Sequence, residues 1–245
     1  MPGDGPTAGQ LSVTYYGHCA FLWESPTGLR VLIDPYRNRH DRYWFLRQFP
    51  TLASDLVLIT HAHFDHDAAD HLLESTSVLR MPGDFHDQDV FIKGIPDLHS
   101  GRWGREGLRN VMFRLEIAGL RFLHIGDNRA QLPPDVIQQV GSVDVLLVTV
   151  DDSCHLLSYT EVDDLIALLN PRVVIPMHYL IPELTTQEST LLAPDGWLAT
   201  QRTVSHLGTP TIQLSPQSLP PSRQVWVLDP SPESFRTPFQ ERPSG

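Results

Sequence analysis

An apolar run that leads directly into a histidine cluster constrains this chain more than any other feature. Residues 56–60 read Leu-Val-Leu-Ile-Thr, and the next six residues read His-Ala-His-Phe-Asp-His. In an extended segment, residues i and i+2 point to the same side, so His61 and His63 can converge on one ion. The spacing therefore predicts a metal site at the end of a buried strand.

The same motif can serve a second ion. If the chain turns after His63 into a helix that begins near Asp67, then Asp65 and His66 face another cation. A solvated polar turn is the alternative, but twelve histidines among 245 residues also favour a metal site. Mixed imidazole and carboxylate ligands suit Zn²⁺, and Mn²⁺ or Fe can occupy similar sites.

The apolar pattern along the rest of the chain predicts a mixed α/β protein. Strand-like runs bounded by turn residues come first, at residues 11–16, 20–24, 30–33, 90–94, 111–117 and 121–125. Later segments alternate between helix and strand: a helix over 133–140, a strand over 143–150, a helix capped by Thr160 and stopped at Asn170-Pro171, and a strand over 173–175. We expect two halves, each of several strands followed by helices.

The two ends of the chain differ in composition from the middle. Residues 1–10 have no basic region and no apolar run, which predicts a flexible leader rather than a secretory signal. Residues 11–215 are expected to form one folded domain. Residues 216–245 are rich in proline and serine, which predicts a C-terminal extension, in which residues 225–228 could add an edge strand or pack on the body.

Net charge and cysteine content limit the partners of the protein. The net charge of −11 argues against a broad surface for nucleic acid or anionic membranes, and no run reaches the roughly 20 apolar residues of a membrane helix. Two cysteines, Cys19 and Cys154, cannot build a disulfide framework, which predicts a reducing, cytoplasmic location. A small molecule is the expected partner, and the sequence does not indicate an oligomeric state.

Five motifs in order resemble the metallo-β-lactamase superfamily, in its small single-domain branch of lactonase-like, zinc-dependent hydrolases. Besides His-x-His-x-Asp-His, the chain contains Tyr-Gly-His-Cys-Ala-Phe-Leu at 16–22, Val-Leu-Ile-Asp-Pro at 31–35, His-Ile-Gly-Asp at 124–127 and Ile-Pro-Met-His-Tyr at 175–179. The resemblance implies an α/β fold, a four-layer αββα sandwich of two mixed sheets with helices outside. It also implies a metal site at one edge, where strand-end loops meet.

The resemblance further implies a dinuclear centre with seven ligands. One ion would be held by His61, His63 and His99. The other would be held by Asp65, His66 and His178. Asp127 would bridge the two ions. His124, two residues before Gly126, is the alternative to His99 and could instead orient a ligand from behind it.

Several residues near these motifs have open roles. His18 could line the site or make a structural hydrogen bond, and Asp34 is expected to support a ligand or a turn. Asp151, Asp152 and His155 stand where many relatives have a small glycine-rich turn, so they could shape substrate choice or supply a proton, with His155 the candidate catalytic residue; a local structural substitution is the alternative. The histidines without motif context are expected to be surface or ordinary hydrogen-bonding residues: His40, His71, His86 and His206.

The function implied is that of a dinuclear metal hydrolase acting on a small ester, lactone or phosphodiester. A metal-bridging hydroxide would attack the substrate, Asp65 could orient its proton, and Asp127 would hold both ions. An anionic substrate is expected because the metal ions are positive and because Arg102, Arg105 and Arg129 closely follow two motifs; plain surface positions are the alternative for these arginines. The alternatives are a di-iron oxidoreductase on the same scaffold and a metal-stabilised, non-catalytic binding protein.

Overall fold

The structure is a computed structural model that describes residues 10–69, 72–73 and 76–239. Nearly all of the predicted leader, residues 1–10, and His71 lie outside these residues. The strands are β1 (Leu11–Gly17), β2 (Ala20–Glu24), β3 (Arg30–Ile33), β4 (Leu56–Leu58), β5 (Ser77–Leu79), β6 (Gly83–Asp87), β7 (Val90–Leu98), β8 (Arg109–Ile117), β9 (Leu120–His124), β10 (Val145–Thr149), β11 (Val173–Met177), β12 (Val204–His206), β13 (Thr211–Leu214) and β14 (Gln224–Val227). The helices are α1 (Gly101–Arg105), α2 (Pro134–Val140), α3 (Tyr159–Leu169) and α4 (Asp195–Leu198).

These strands form two mixed sheets. The first has six strands in the order β13-β1-β2-β3-β4-β5, and the second has eight in the order β12-β14-β11-β10-β9-β8-β7-β6. In the first sheet β1 to β3 are antiparallel, while β4 and β5 continue in parallel from β3. In the second, β9, β10, β11 and β14 run parallel. The predicted α/β fold class is confirmed.

The two sheets pack face to face. Trp23 of β2 contacts Phe122 of β9 edge to face, with ring centroids 5.9 Å apart. Side chains alternate along β3, because Val31 and Ile33 join the main core while Leu32 faces the opposite side. Leu32 belongs to a second, small apolar cluster, so both faces of the six-stranded sheet are covered.

The helix over 133–140 is found almost as predicted, but the cap of the longer helix was placed wrongly. Ser158, not Thr160, precedes α3: its hydroxyl accepts from the Glu161 N–H, and the Glu161 side chain accepts from the Ser158 N–H. This reciprocal capping box satisfies backbone donors that the helix leaves free. Four apolar residues on one face of α3 are buried beside the second sheet: Val162, Leu165, Ile166 and Leu169.

The prediction of a helix near Asp67 was wrong for the part of the chain that is described. Residues 59–69, 72–73 and 76, between β4 and β5, contain no α-helix. The Asp67 carboxylate instead accepts from the Arg37 guanidinium at 2.9 Å. Irregular segments contribute Phe49, Leu52 and Leu72 to the outer cluster of the six-stranded sheet.

The Pro/Ser-rich C-terminal segment contributes to the second sheet. Within it, β14 pairs in parallel with β11 on one side and β12 on the other, so it is an inner strand and not the edge strand that was expected. Arg172 fixes the approach to this strand by donating to the Leu219 and Pro220 carbonyls. No helix in the described part of the chain is long and apolar enough to cross a membrane.

Candidate metal centre

The predicted ligands come from the ends of strands in both sheets and meet at one edge of the sandwich. The histidine motif follows β4, which ends at Leu58, two residues earlier than predicted. His99 follows β7, Asp127 follows β9 and His178 follows β11. Because the strand ends of two packed sheets converge there, residues separated by more than 100 positions become neighbours.

The first ligand group contains His61, His63, His99 and Asp127, whose ligand atoms lie within 4.8 Å of one another. Asp127 Oδ2 is 3.5 Å from His61 Nε2 and 3.2 Å from His99 Nε2. The ring nitrogens His61 Nε2 and His63 Nδ1 are 3.1 Å apart. This group is the set expected for one ion.

The second ligand group contains Asp65, His66, Asp127 and His178, again within 4.8 Å. His66 Nε2 lies 3.4 Å from Asp65 Oδ2 and 3.3 Å from Asp127 Oδ1. His178 Nε2 lies 3.5 Å from Asp65 Oδ2 and 3.6 Å from Asp127 Oδ2. Asp127 therefore belongs to both groups, which is the position expected of a bridging carboxylate.

Unpartnered atoms in this cluster fit divalent cations. His66 Nε2, His99 Nε2, His178 Nε2 and Asp127 Oδ1 are buried and lack a hydrogen-bond partner. Buried polar atoms are normally paired, and leaving one unpaired costs about 1–3 kcal/mol. Imidazole nitrogens and carboxylate oxygens that converge in this way are a donor set for Zn²⁺ or a similar ion.

A hydrogen-bond network orients the ligand histidines from behind. Asp34, fully buried, accepts from the Thr60 N–H at 2.8 Å, the Thr60 hydroxyl at 2.7 Å and His66 Nδ1–H at 2.9 Å. Because its proton goes to Asp34, the Thr60 hydroxyl accepts from His61 Nδ1–H at 3.0 Å. His99 Nδ1–H donates to the Ser100 carbonyl. The network thus leaves the Nε2 atoms of His66 and His99 without a hydrogen-bond partner and facing Asp127, whereas His61 Nε2 also lies next to His63 Nδ1.

His124, the alternative to His99, does not reach the cluster. Its Nε2–H donates to the Cys19 carbonyl at 2.9 Å, and its Nδ1 accepts from the Gly126 N–H at 3.2 Å. Both ring nitrogens are therefore occupied. His124 instead positions the turn that carries Asp127.

His18 lies inside the cluster of predicted ligands, whereas the sequence left open whether it lines the site or makes a structural hydrogen bond. Its Nε2 is 3.0 Å from Asp65 Oδ2, and its carbonyl accepts from the His178 N–H at 2.9 Å. With Cys19, His66 and His178 it forms a third group of close donor atoms. Its position in the Tyr-Gly-His-Cys motif was the only sequence signal for this role.

Electrostatics in the cluster favour positive charge at its centre. Burial lowers the pKa of His61 well below its usual value, and burial with the nearby His178 lowers that of His18 to about 3. Burial would also lower the pKa of His66, but Asp127 and Asp65 outweigh it and raise that pKa. Burial would raise the pKa of Asp127, but His66 and His178 hold it well below the usual range. Two carboxylates in this setting attract protons or metal cations.

Three residues of the site adopt left-handed backbone conformations. The φ angles are 54° at His18, 46° at Asp34 and 64° at His178. Such conformations cost roughly 1–2 kcal/mol for residues other than glycine. They persist where the surrounding structure fixes them, and here they aim three polar side chains into one cluster.

A cleft of about 240 Å³ opens onto both ligand groups. His155 lines it, with its ring centroid 6.0 Å from that of His178. Asp151 does not line this cleft, and its carboxylate accepts from the Ser153 N–H and from the His155 N–H. Asp152 accepts from the Tyr159 hydroxyl at 2.6 Å and the Gly196 N–H at 2.7 Å. Both aspartates thus hold the loop that carries His155.

The three arginines expected to attract an anion have other surroundings. Arg129 is paired with the buried Asp97, at 2.6 Å, and Arg102 with Glu106, at 2.7 Å. Arg105 lines a neighbouring cavity and only Arg102 of the three lines the cleft, together with Arg42. Of the isolated histidines, His40, His86 and His206 are exposed, as predicted.

A family profile described as a beta-lactamase superfamily domain matches residues 12–178, a span that contains all seven predicted ligands. The chain belongs to this superfamily. It is 27% identical over 194 residues to a UPF0173 metal-dependent hydrolase of Thermococcus onnurineus, covering 69% of this chain and 84% of that one.

Solved structures agree with this assignment. A protein of Thermotoga maritima, described as a Zn-dependent hydrolase of the metallo-beta-lactamase superfamily, matches with a TM-score of 0.68 and 27% identity over 89% of this chain and 98% of its own. A diiron β-hydroxylase of Streptomyces venezuelae matches at 0.52 and 15% identity over 71% of this chain and 46% of its own, a likeness of fold alone. With these relatives and its His/Asp clusters, the protein is a metal-dependent hydrolase of the superfamily.

Proposed function

We propose that the protein binds two divalent ions, Zn²⁺ in the native state, and hydrolyses a small, anionic ester, lactone or phosphodiester. The observation that supports this most is the pair of ligand groups that share Asp127 and open onto one cleft. Bound divalent ions would lower the pKa of water to about 7 and stabilise the charge that develops on the substrate.

The protein's own residues would have separate tasks. His61, His63 and His99 would hold one ion, and Asp65, His66 and His178 the other, with Asp127 between them. Asp65 would also orient the proton of the nucleophile, and His18, 3.0 Å from Asp65 Oδ2, would keep the carboxylate in place. His155, at the cleft, would donate a proton to the leaving group.

The preference for an anion rests on the charge balance of the cleft. Two divalent ions contribute +4, whereas its lining carboxylates, Asp65 and Asp127, contribute −2. Arg42 adds positive charge at the cleft, whereas the charge of Arg102 is paired with Glu106. A site that is locally positive on an acidic protein favours an anionic small molecule over nucleic acid or a membrane surface.

A reducing, cytoplasmic location suits the cysteines. Cys19 is buried and Cys154 is exposed, and both are free thiols. An exposed free thiol is compatible with a compartment in which disulfides are kept reduced.

Elemental analysis combined with a substrate panel tests the proposal. The purified protein should contain two zinc ions and hydrolyse at least one member of a panel of esters, lactones and phosphodiesters. Alanine at His61, His63 or Asp127 should reduce both metal content and turnover, whereas the exposed His86→Ala serves as the matched control. Undiminished metal content and activity in the three site variants would refute the proposal.

Two other results would point to the alternative functions. Iron with a redox-dependent absorbance would support a di-iron oxidoreductase. Full metal loading without turnover of any panel member would support a binding protein. His155→Gln should lower kcat without changing metal content if His155 donates a proton.

A further inference from the structure

The cleft above the ligand groups has aromatic walls that the hydrolytic chemistry does not use. Trp44, Phe64 and Trp103 all line it. Trp103 is 38% exposed and is the only tryptophan among the exposed large apolar side chains of the described residues. The Arg102 guanidinium lies over the Trp103 ring, with its central carbon 5.3 Å from the ring centroid. The exposed remainder of this indole, beside a buried polar centre, is apolar area available to a ligand, since burying such area stabilises a complex.

The two indoles flank different halves of the centre. Trp103 packs edge to face against His63, with centroids 5.6 Å apart. Trp44 packs in the same manner against His155 at 5.7 Å, and His155 lies beside His178. Trp103 is therefore next to the first ligand group and Trp44 is on the side of the second.

The position of Trp103 is fixed by the ligands themselves. The Ser100 N–H, just before α1, donates to the Asp127 carbonyl at 2.7 Å. A Cβ at Gly104 would lie 1.7 Å from the His99 carbonyl oxygen, so α1 packs directly on that ligand. The Trp103 carbonyl accepts from the Leu108 N–H at 2.9 Å. The wall is thus preformed, which reduces the entropy cost of binding.

We propose that substrates of this enzyme carry a planar aromatic group next to the hydrolysed bond, flanked by Trp103 and Trp44; this inference rests on the proposed metal centre. Aromatic rings gain from edge-to-face and offset stacking in addition to their buried area, which a saturated ring of the same size does not. The cleft's two carboxylates face ligand histidines, and Arg42 and Arg102 line the cleft. A neutral or anionic aromatic group is therefore favoured over an aromatic amine.

Binding of matched phosphonates to the zinc-loaded protein tests this inference. Methylphosphonate supplies only the anion that would bind at the ions, whereas phenylphosphonate and cyclohexylphosphonate add a planar and a saturated ring of similar size. Calorimetry should show phenylphosphonate binding about three- to tenfold more tightly than cyclohexylphosphonate. Trp103→Leu and Trp44→Leu should each reduce that ratio, and Trp103→Phe should retain most of it.

Trp226→Leu, on β14 and outside the cleft lining, is the matched control and should leave the ratio unchanged. Equal affinity for the two ring compounds in the wild type, or an unchanged ratio in both tryptophan variants, would overturn the inference while leaving the metal centre intact. If no phosphonate binds more tightly to zinc-loaded than to metal-free protein, the proposed centre and the aromatic site fail together.

Discussion

Replacing Asp34 with asparagine perturbs both ligand groups without replacing a predicted ligand, because Asp34 bonds His66 directly and His61 through Thr60. The two Asp34 oxygens accept three hydrogen bonds, two from Thr60 and one from His66. The side-chain oxygen of an asparagine can still accept from the Thr60 N–H. The NH₂ group of that asparagine would then face two donors, the Thr60 hydroxyl and His66 Nδ1–H. His66 and His61 would have to move their protons to Nε2, which removes the lone pairs that face Asp127.

The expected loss in metal affinity follows from this geometry. Removing a partner that orients a ligand costs 10- to 100-fold in metal affinity, or about 1.4–2.7 kcal/mol. Losing two hydrogen bonds to a buried carboxylate should also lower the free energy of unfolding of the metal-free protein by about 2–4 kcal/mol.

Zinc affinity is measured by competition with a chromophoric chelator, and stability by urea unfolding. Asp144→Asn is the matched control, because Asp144 accepts from the Arg121 guanidinium before the start of β10, away from the ligand cluster. It should lower stability and leave zinc affinity unchanged. Zinc affinity of Asp34→Asn within twofold of the wild type would refute the orienting role of Asp34.

Three further predictions concern protonation, capping and a turn. Zinc binding should release protons, because Asp127 and Asp65 outweigh burial and raise the pKa values of His66 and His178; affinity should therefore fall as the pH falls, and binding enthalpies that are equal in buffers of different ionisation enthalpy would contradict this. Ser158→Ala should cost about 1 kcal/mol in urea unfolding and Thr160→Ala much less, and the reverse order would contradict the observed cap. Gly126→Ala should lower the free energy of unfolding by about 1–3 kcal/mol, because φ is 54° and a Cβ would lie 2.7 Å from Thr60. An unchanged free energy of unfolding in urea would contradict this close approach.

The members of the two ligand groups could be predicted because short sequence motifs contain them. His61 and His63 share a side of extended backbone, and the other ligands follow apolar strands in short motifs that the family resemblance orders. The choice between His99 and His124 depends on hydrogen bonds that only the folded chain reveals. Coordination of a metal by these residues stays a prediction.

The misplaced elements reflect competition between local signals and distant partners. Ser158 and Thr160 can both cap a helix, and the Glu161 side chain favours Ser158. Asp67 could start a helix, but it pairs with Arg37 thirty residues away. The place of β14 inside a sheet depends on parallel pairing with β11, about fifty residues earlier, which composition does not encode. The apolar residues 225–228 therefore indicated a strand but not its inner position.

A crystal structure of the zinc-loaded protein, with anomalous scattering measured at the zinc edge, tests the central claim most directly. The account predicts two zinc peaks per chain, one bound by His61, His63 and His99 and the other by Asp65, His66 and His178, with Asp127 contacting both. A single peak, or a peak bound by His124 instead of His99, would contradict the account.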